Sequence, residues 1–78
     1  MSINPLKNIS LKTFRQYLKW KGLEHIRTKG GHEIWNLKGL LRPIVLPTHF
    51  DPVREYVVKN AFENLEVTAD DYIEFLKS

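Results

Sequence analysis

Two adjacent glycines, Gly30 and Gly31, constrain the fold of this chain more than any other feature. They separate two short segments with strand character, residues 23–28 and 32–37. Paired glycines adopt the positive φ angles of a tight reversal without steric cost. The sequence therefore predicts a β-hairpin whose turn is Lys29-Gly30-Gly31.

A third strand is predicted after this hairpin. Residues 38–39 form a second turn, and residues 40–46 follow it as a strand. Pro43 indicates that this strand lies at an edge of the sheet, because proline cannot donate a hydrogen bond to a neighbouring strand. In the middle strand, alternation places His32 on one face and Trp35 on the other. The prediction is a three-stranded antiparallel meander.

Helices are predicted on both sides of the three strands. Ser10 is the expected N-cap of a first amphipathic helix, which Gly22 ends. Asp51 is the expected cap of a second helix, with Pro52 in its first turn, and Thr68 caps a short third helix. The predicted fold class is α+β, in the order helix, three-stranded antiparallel sheet, and two helices, arranged in two layers.

The length of 78 residues leaves room for one domain, over residues 1–78. Its predicted core spans residues 10–65, and a closing C-terminal helix spans residues 68–77. With the helices gathered on one side, the other sheet face and the hairpin turn remain available to a partner. A chain this small encloses no deep cavity, so we expect any chemistry to occur on its surface.

Charge is distributed unevenly along the chain. Residues 1–50 contain nine Lys or Arg and two acidic residues, a balance of +7, whereas residues 51–78 contain three and seven, a balance of −4. A basic surface of this kind is typical of proteins that bind nucleic acid, although charge can also serve solubility alone. On the first helix, Lys12, Arg15 and Lys19 form a ridge that fits either role.

Several classes of function are excluded by what the sequence lacks. It has no cysteine, and hence no disulfide, thiolate zinc site or cysteine nucleophile. It has neither a Walker glycine loop nor a Gly-x-Ser-x-Gly elbow. No apolar run is long enough to span a membrane, and the N-terminus lacks the apolar core of a signal peptide. The expected location is cytoplasmic.

Histidine is the remaining candidate for chemistry, and His32 is the best placed of the three. It begins a strand directly after two glycines, whose backbone leaves room for a polymer. An imidazole, with an ordinary pKa of about 6.5, can take and give a proton at neutral pH. That property suits transesterification of RNA without a metal or cofactor. Arg27 and Lys29 immediately precede His32 and could hold the phosphate.

Simpler interpretations remain open for each candidate. His32 could be an ordinary strand residue, and His49 could be a loop residue, a substrate contact or a second acid or base. A zinc site would require His25, His32 and His49 to converge from three elements. Among the aromatic residues, Trp20 is the one predicted to be exposed.

Two segments of the sequence, taken in their order along the chain, resemble the HicA toxins. These toxins are small mRNA interferases of bacterial toxin–antitoxin pairs. The segments are the run Gly-Leu-Glu-His-Ile-Arg-Thr-Lys-Gly-Gly-His over residues 22–32, and Val-Leu-Pro-Thr-His over residues 45–49. The first follows an amphipathic helix and the second precedes one. The resemblance covers most of residues 11–62. One departure is Gly31, where the family usually has serine.

The resemblance implies a fold like the double-stranded-RNA-binding domain and cleavage of mRNA without a metal. It implies His32 as the catalytic residue and a HicB-like antitoxin as the protein partner. The residues predicted to contact RNA are Lys12, Arg15, Lys19, Arg27, Lys29, Gly30, Gly31 and His49. A homo-oligomer is also possible for so small a core. The alternative functions are a non-catalytic small RNA-binding module and a protein-binding adaptor.

Overall fold

The structure is a computed structural model, and it describes residues 6–78. The first five residues of the predicted domain lie outside the described residues. The elements follow the predicted order: α1 Leu11–Trp20, β1 Glu24–Lys29, β2 His32–Asn36, β3 Ile44–Pro47, α2 Glu55–Leu65 and α3 Ala69–Lys77. The α+β arrangement is confirmed. Over residues 6–78, each helix is too short or too polar to traverse a lipid bilayer.

The three strands form one antiparallel sheet in the order β1-β2-β3. Gly30 and Gly31 make the predicted turn between β1 and β2, with φ angles of 57° and 79°. Positive φ at both central residues is the geometry of a two-residue hairpin, and it brings Lys29 opposite His32. The register shifts between His25 and Arg27, which is a β-bulge in β1.

One face of the sheet is covered by the helices and the other is open. Trp35, Ile44 and Leu46 project from the covered face into the core. The buried partners that the helices supply include Phe14, Tyr17, Leu18, Val58 and Phe62. On the open face, Arg27, Ile34 and Val45 stand in register across the three strands. This open face is the surface that a large substrate can reach.

The predicted start of the second helix is wrong. Helix α2 begins at Glu55, and Arg54 is its N-cap without a side-chain hydrogen bond. The Asp51 carboxylate instead accepts a hydrogen bond from the backbone N–H of Leu11, at 3.1 Å, and so caps α1. The first N–H groups of a helix have no partner within the helix, and Asp51 satisfies one of them. Asp51 therefore ties the loop before α2 to the start of α1.

Strand β3 is shorter than predicted, although its edge position is confirmed. It begins at Ile44, directly after Pro43, rather than at residue 40. Residues 37–40 turn instead, with the Leu40 N–H donating to the Leu37 carbonyl at 3.0 Å. The ring of Pro43 removes a hydrogen-bond donor at this point, so the ladder starts only beyond it.

The acidic C-terminal helix closes the core, as predicted. The Tyr17 hydroxyl donates to Asp71 at 2.7 Å, and the Lys21 ammonium lies 3.1 Å from the same carboxylate. Burial, followed by the hydrogen bond to Asp71, raises the pKa of Tyr17 far above its ordinary value, so its phenol stays protonated. Asp71, one of the acidic residues of the C-terminal segment, thus holds α3 against α1.

Candidate active site

The tight turn between β1 and β2 sets the orientation of His32. The Nδ1 atom of this exposed side chain lies 3.1 Å from the backbone carbonyl oxygen of Gly30. A carbonyl oxygen only accepts hydrogen bonds, so Nδ1 must carry the proton of this contact. In the neutral imidazole the lone pair is then at Nε2. The turn therefore leaves Nε2 of the neutral His32 imidazole as the ring nitrogen that can accept a hydrogen bond.

The loop after β3 is fastened to the same turn. Both the backbone N–H and the hydroxyl of Thr48 donate to the Gly31 carbonyl, each at 2.8 Å. Three residues later, Asp51 holds the start of α1. His49 and Phe50 lie between these two fixed points, which limits how far the loop can move.

His49 lies directly over Gly31. A Cβ atom added to Gly31 would overlap the His49 imidazole. The imidazole rings of His32 and His49 are 6.0 Å apart between centroids and nearly perpendicular, at 77°. The structure thus brings together His32, Gly31 and His49, which the sequence placed on separate elements. A serine side chain at position 31 would need the space that His49 occupies.

Two of the predicted basic residues lie on the open face with His32. Lys29 is the cross-strand partner of His32, and Arg27 lies one row further along β1, opposite Ile34. Both basic side chains are exposed. Cross-strand partners project from the same face of a sheet, so Lys29 adds positive charge beside the His32 imidazole.

Arg15, predicted to contact phosphate, forms an ion pair with Glu33 of β2. Its guanidinium binds the Glu33 carboxylate through Nε at 3.0 and 3.1 Å and through Nη2 at 2.7 Å. The Trp35 indole N–H donates to the same carboxylate at 3.1 Å. The hydrogen bond to Glu33 raises the pKa of Arg15. The Nε and Nη2 atoms of this guanidinium are therefore hydrogen-bonded on the covered face of the sheet.

The pKa of Glu33 reflects the same contact from the other side. Burial acts to raise the pKa of this carboxyl, but the hydrogen bonds from Arg15 and Trp35 and nearby positive charge outweigh burial. The net result is a pKa below the ordinary value. Glu33 is therefore a charged partner of α1 and not a candidate acid.

The other two ridge residues, Lys12 and Lys19, are exposed on α1. Lys12 lies in the first turn of the helix that Asp51 caps, and so at the end of the molecule where His49 lies. Lys19 is seven residues further, or about 10 Å along the helix axis. Of these two lysines, Lys12 is therefore the one at the helix end that contacts the loop carrying His49.

His25 does not join the other histidines. Its Nε2 atom lies 2.9 Å from the Thr28 hydroxyl, and its ring is 5.5 Å from the Trp35 ring on the covered face. Among residues 6–78, no group of three or more His, Cys, Asp or Glu side chains is arranged to hold a metal ion. The three-histidine zinc site considered from the sequence is therefore not formed by these residues.

Two open grooves flank the histidine pair. The larger, of about 1270 Å³, is lined by His32, Val45 and Pro47 and continues between the β2–β3 connection and α2. The smaller, of about 460 Å³, is lined by His49, Phe50 and Arg54 among others. Each imidazole of the pair thus lines one of the two grooves.

Three residues around this site were not predicted from the sequence: Thr48, Phe50 and Arg54. Thr48 positions the loop, and the Arg54 guanidinium stacks on the Phe50 ring, 4.1 Å from its centroid. An aromatic residue directly after a candidate histidine was the available signal for Phe50. Thr48 lies within the run 45–49 but was given no role of its own, and Arg54 has no signal in the sequence, because the contacts of both depend on the path of the loop.

Comparison with known proteins adds no assignment. The chain matches no family model, no characterised protein and no solved structure.

Proposed function

We propose that this protein is a metal-independent RNA endonuclease, a HicA-like mRNA interferase that acts as the toxin of a toxin–antitoxin pair. The observation that carries the proposal is the pair of exposed imidazoles, 6.0 Å apart, at the basic end of an open sheet. Two imidazoles at this separation match a reaction that removes one proton and supplies another. The order of elements and the residue runs 22–32 and 45–49 support the HicA-like assignment.

The proposed reaction is an intramolecular transesterification of RNA. His32 Nε2 removes the proton of a ribose 2′-hydroxyl, and that oxygen forms a bond to the adjacent phosphorus. The bond from phosphorus to the 5′-oxygen breaks, and His49, in its protonated form, donates a proton to the departing oxygen. The products are a 2′,3′-cyclic phosphate and a 5′-hydroxyl, and both imidazoles then exchange protons with water.

The surrounding residues support this chemistry electrostatically. The hydrogen bond from Nδ1 to the Gly30 carbonyl keeps the His32 ring in one orientation while Nε2 takes the proton. Lys29 and Arg27 offset the negative charge of the phosphate. The reaction requires a 2′-hydroxyl, so RNA is a substrate and DNA is not.

The biological context is part of the same proposal. A HicB-like antitoxin would cover the basic open face and neutralise the toxin, and the target mRNA places the reaction in the cytoplasm. The competing function is a non-catalytic RNA-binding module on the same face. That module predicts salt-dependent RNA binding without new RNA termini.

The test compares His32→Ala with His25→Ala, a matched loss of one exposed histidine from the opposite face of the sheet. RNA is incubated with each purified variant in the presence of a chelator, and new termini are mapped. We expect His32→Ala to lose about 10²- to 10⁴-fold in rate, the usual contribution of an acid–base group. His25→Ala should cleave like the parent and leave 2′,3′-cyclic phosphates. Equal cleavage by His32→Ala and the parent would refute the assignment.

A further inference from the structure

One aromatic side chain near the histidine pair is kept at the surface by its loop. Phe50 is 42% exposed, whereas Phe14 and Phe62 are buried. The Arg54 guanidinium carbon lies 4.1 Å from the centroid of the Phe50 ring. This is a stacked pair of an aromatic ring and a planar cation at the surface.

The loop that carries Phe50 is tied down on both sides. Thr48 donates twice to the Gly31 carbonyl, and Asp51 accepts from the Leu11 N–H. Beyond these contacts, the Val53 N–H donates to the Ile9 carbonyl at 2.8 Å. A planar ligand can therefore stack on this pair without first ordering the loop, which lowers the entropic cost of binding.

The pair lines the smaller groove, together with His49. Its volume of about 460 Å³ lies within the usual range of about 300–1,000 Å³ for small-ligand pockets and admits one nucleobase. The groove also contains Lys7, Asp51 and Glu55. Asp51 accepts a hydrogen bond from the start of α1. Glu55 lies 4.0 Å from the Lys7 ammonium, and its buried Oε1 atom has no hydrogen-bond partner among residues 6–78.

We propose that Phe50 and Arg54 form a subsite that stacks one unpaired nucleobase next to the scissile phosphate. The inference rests on the proposed function and deepens it by naming the substrate as single-stranded RNA at the point of cleavage. His49 connects the proposed subsite with His32, because it lies over Gly31 beside His32 and also lines the groove of Phe50. A base held in a duplex is stacked on its neighbours and cannot use this surface.

The experiment measures RNA binding in the cleavage-deficient His32→Ala background, where the oligonucleotide stays intact. Phe50→Ala, Phe50→Leu and Phe50→Trp are each added, and affinity for a short single-stranded RNA and for its duplex is measured at fixed salt. The matched control is Trp20→Ala. Trp20 is 44% exposed and has the Lys21 ammonium 5.8 Å from its ring, but it lies at the other end of α1.

We expect Phe50→Ala and Phe50→Leu to weaken single-strand binding by about 5- to 150-fold, the effect of losing one stacked base. Phe50→Trp should bind at least as tightly as the parent, and Trp20→Ala should match it. The effect of Phe50→Leu should disappear on the duplex and on an RNA that carries an abasic nucleotide at the stacked position. Phe50→Leu keeps the apolar bulk of the side chain, so the test holds even where Phe50→Ala does not fold.

Equal single-strand affinity of Phe50→Leu and the parent would overturn the subsite, and so would an equal loss on single strand and duplex. Absence of RNA binding in every variant would overturn it as well. The outcome is distinct from that of the cleavage test. If the wild-type protein binds but does not cleave RNA, the endonuclease proposal fails, and a single-strand loss in Phe50→Leu still supports stacking of a base on Phe50. If it cleaves and Phe50→Leu binds normally, only the subsite fails.

Discussion

His32 and Glu33 are neighbours in β2 but face opposite sides of the sheet, and the two sides use polar groups in different ways. On the covered side, Glu33 receives hydrogen bonds from both Arg15 and Trp35. On the open side, His32 makes a hydrogen bond to its own turn, and its ring stands exposed beside His49. Polar groups that are hydrogen-bonded within the fold stabilise it. An exposed imidazole, by contrast, has a ring nitrogen that can still form a hydrogen bond with a ligand.

The largest effect that separates the two faces is expected at His49. Under the proposed reaction, His49→Ala removes the proton donor of the leaving oxygen, and the cleavage rate should fall by about 10²- to 10⁴-fold. The free energy of unfolding should change little, because the side chain is exposed. Cleavage rates and urea denaturation curves measure the two quantities. A variant that unfolds readily but retains its specific activity would contradict the assignment.

Gly31→Ser is expected to have the next largest effect on cleavage. The new side chain would displace His49, and a shift of about 1 Å in a catalytic group can cost on the order of 10² in rate. Gly39→Ser, in the turn after β2, is the matched control, because Gly39 also has a positive φ but no atom lies within 4 Å of its Cβ position. Both substitutions strain the backbone by about 1–2 kcal/mol. If both variants cleave equally well, the position of His49 is irrelevant to the reaction.

These two predictions also separate the features that can be predicted from the sequence from those that cannot. The Gly30-Gly31 turn, the edge position of β3 and the Ser10 cap all follow from local rules about φ angles and backbone donors, and the structure has each of them. The pairing of His49 with Gly31 does not follow from such rules. It depends on two hydrogen bonds from Thr48 to a residue 17 positions earlier in the chain.

The same distinction explains why the predicted start of α2 is wrong and why the Arg15–Glu33 contact was not predicted. Asp51 followed by Pro52 is a strong local signal for a helix start, yet the carboxylate caps α1, which lies 40 residues away in sequence. Arg15 has the spacing of a basic ridge, but its guanidinium meets Glu33 across the layer boundary. A local sequence pattern predicts which face of an element a side chain occupies. The residue that the side chain contacts is decided by tertiary packing.

The covered face can be tested through stability and its dependence on pH. Glu33→Gln should lower the free energy of unfolding by about 1–2 kcal/mol at pH 7, a value reduced for the partial exposure of the Arg15 side chain. The folded-state pKa of Glu33 is depressed, so the contribution of its charge is complete above the ordinary glutamate pKa of about 4.3. As pH falls through the lower folded-state pKa, the contribution is lost.

The measurement is a series of denaturation curves from pH 7 to pH 2 for Glu33→Gln and the parent. The difference between them should shrink as the carboxyl of the parent becomes protonated. Glu24→Gln is the control, since Glu24 is exposed on β1. A difference that stays constant with pH would mean that the shape of the Glu33 side chain matters and its charge does not.

The smallest expected effect lies at Lys29, on the open face beside His32. If Lys29 contacts one phosphate, Lys29→Gln should weaken binding of single-stranded RNA by severalfold and reduce the slope of log affinity against log salt by about 0.7. Lys59→Gln removes the same charge from an exposed position on α2 and is the control. General attraction by the whole protein would give equal, small changes in both variants. A change in slope confined to Lys29→Gln would instead place the RNA backbone on the open face, because a direct contact releases a counterion and a distant charge does not.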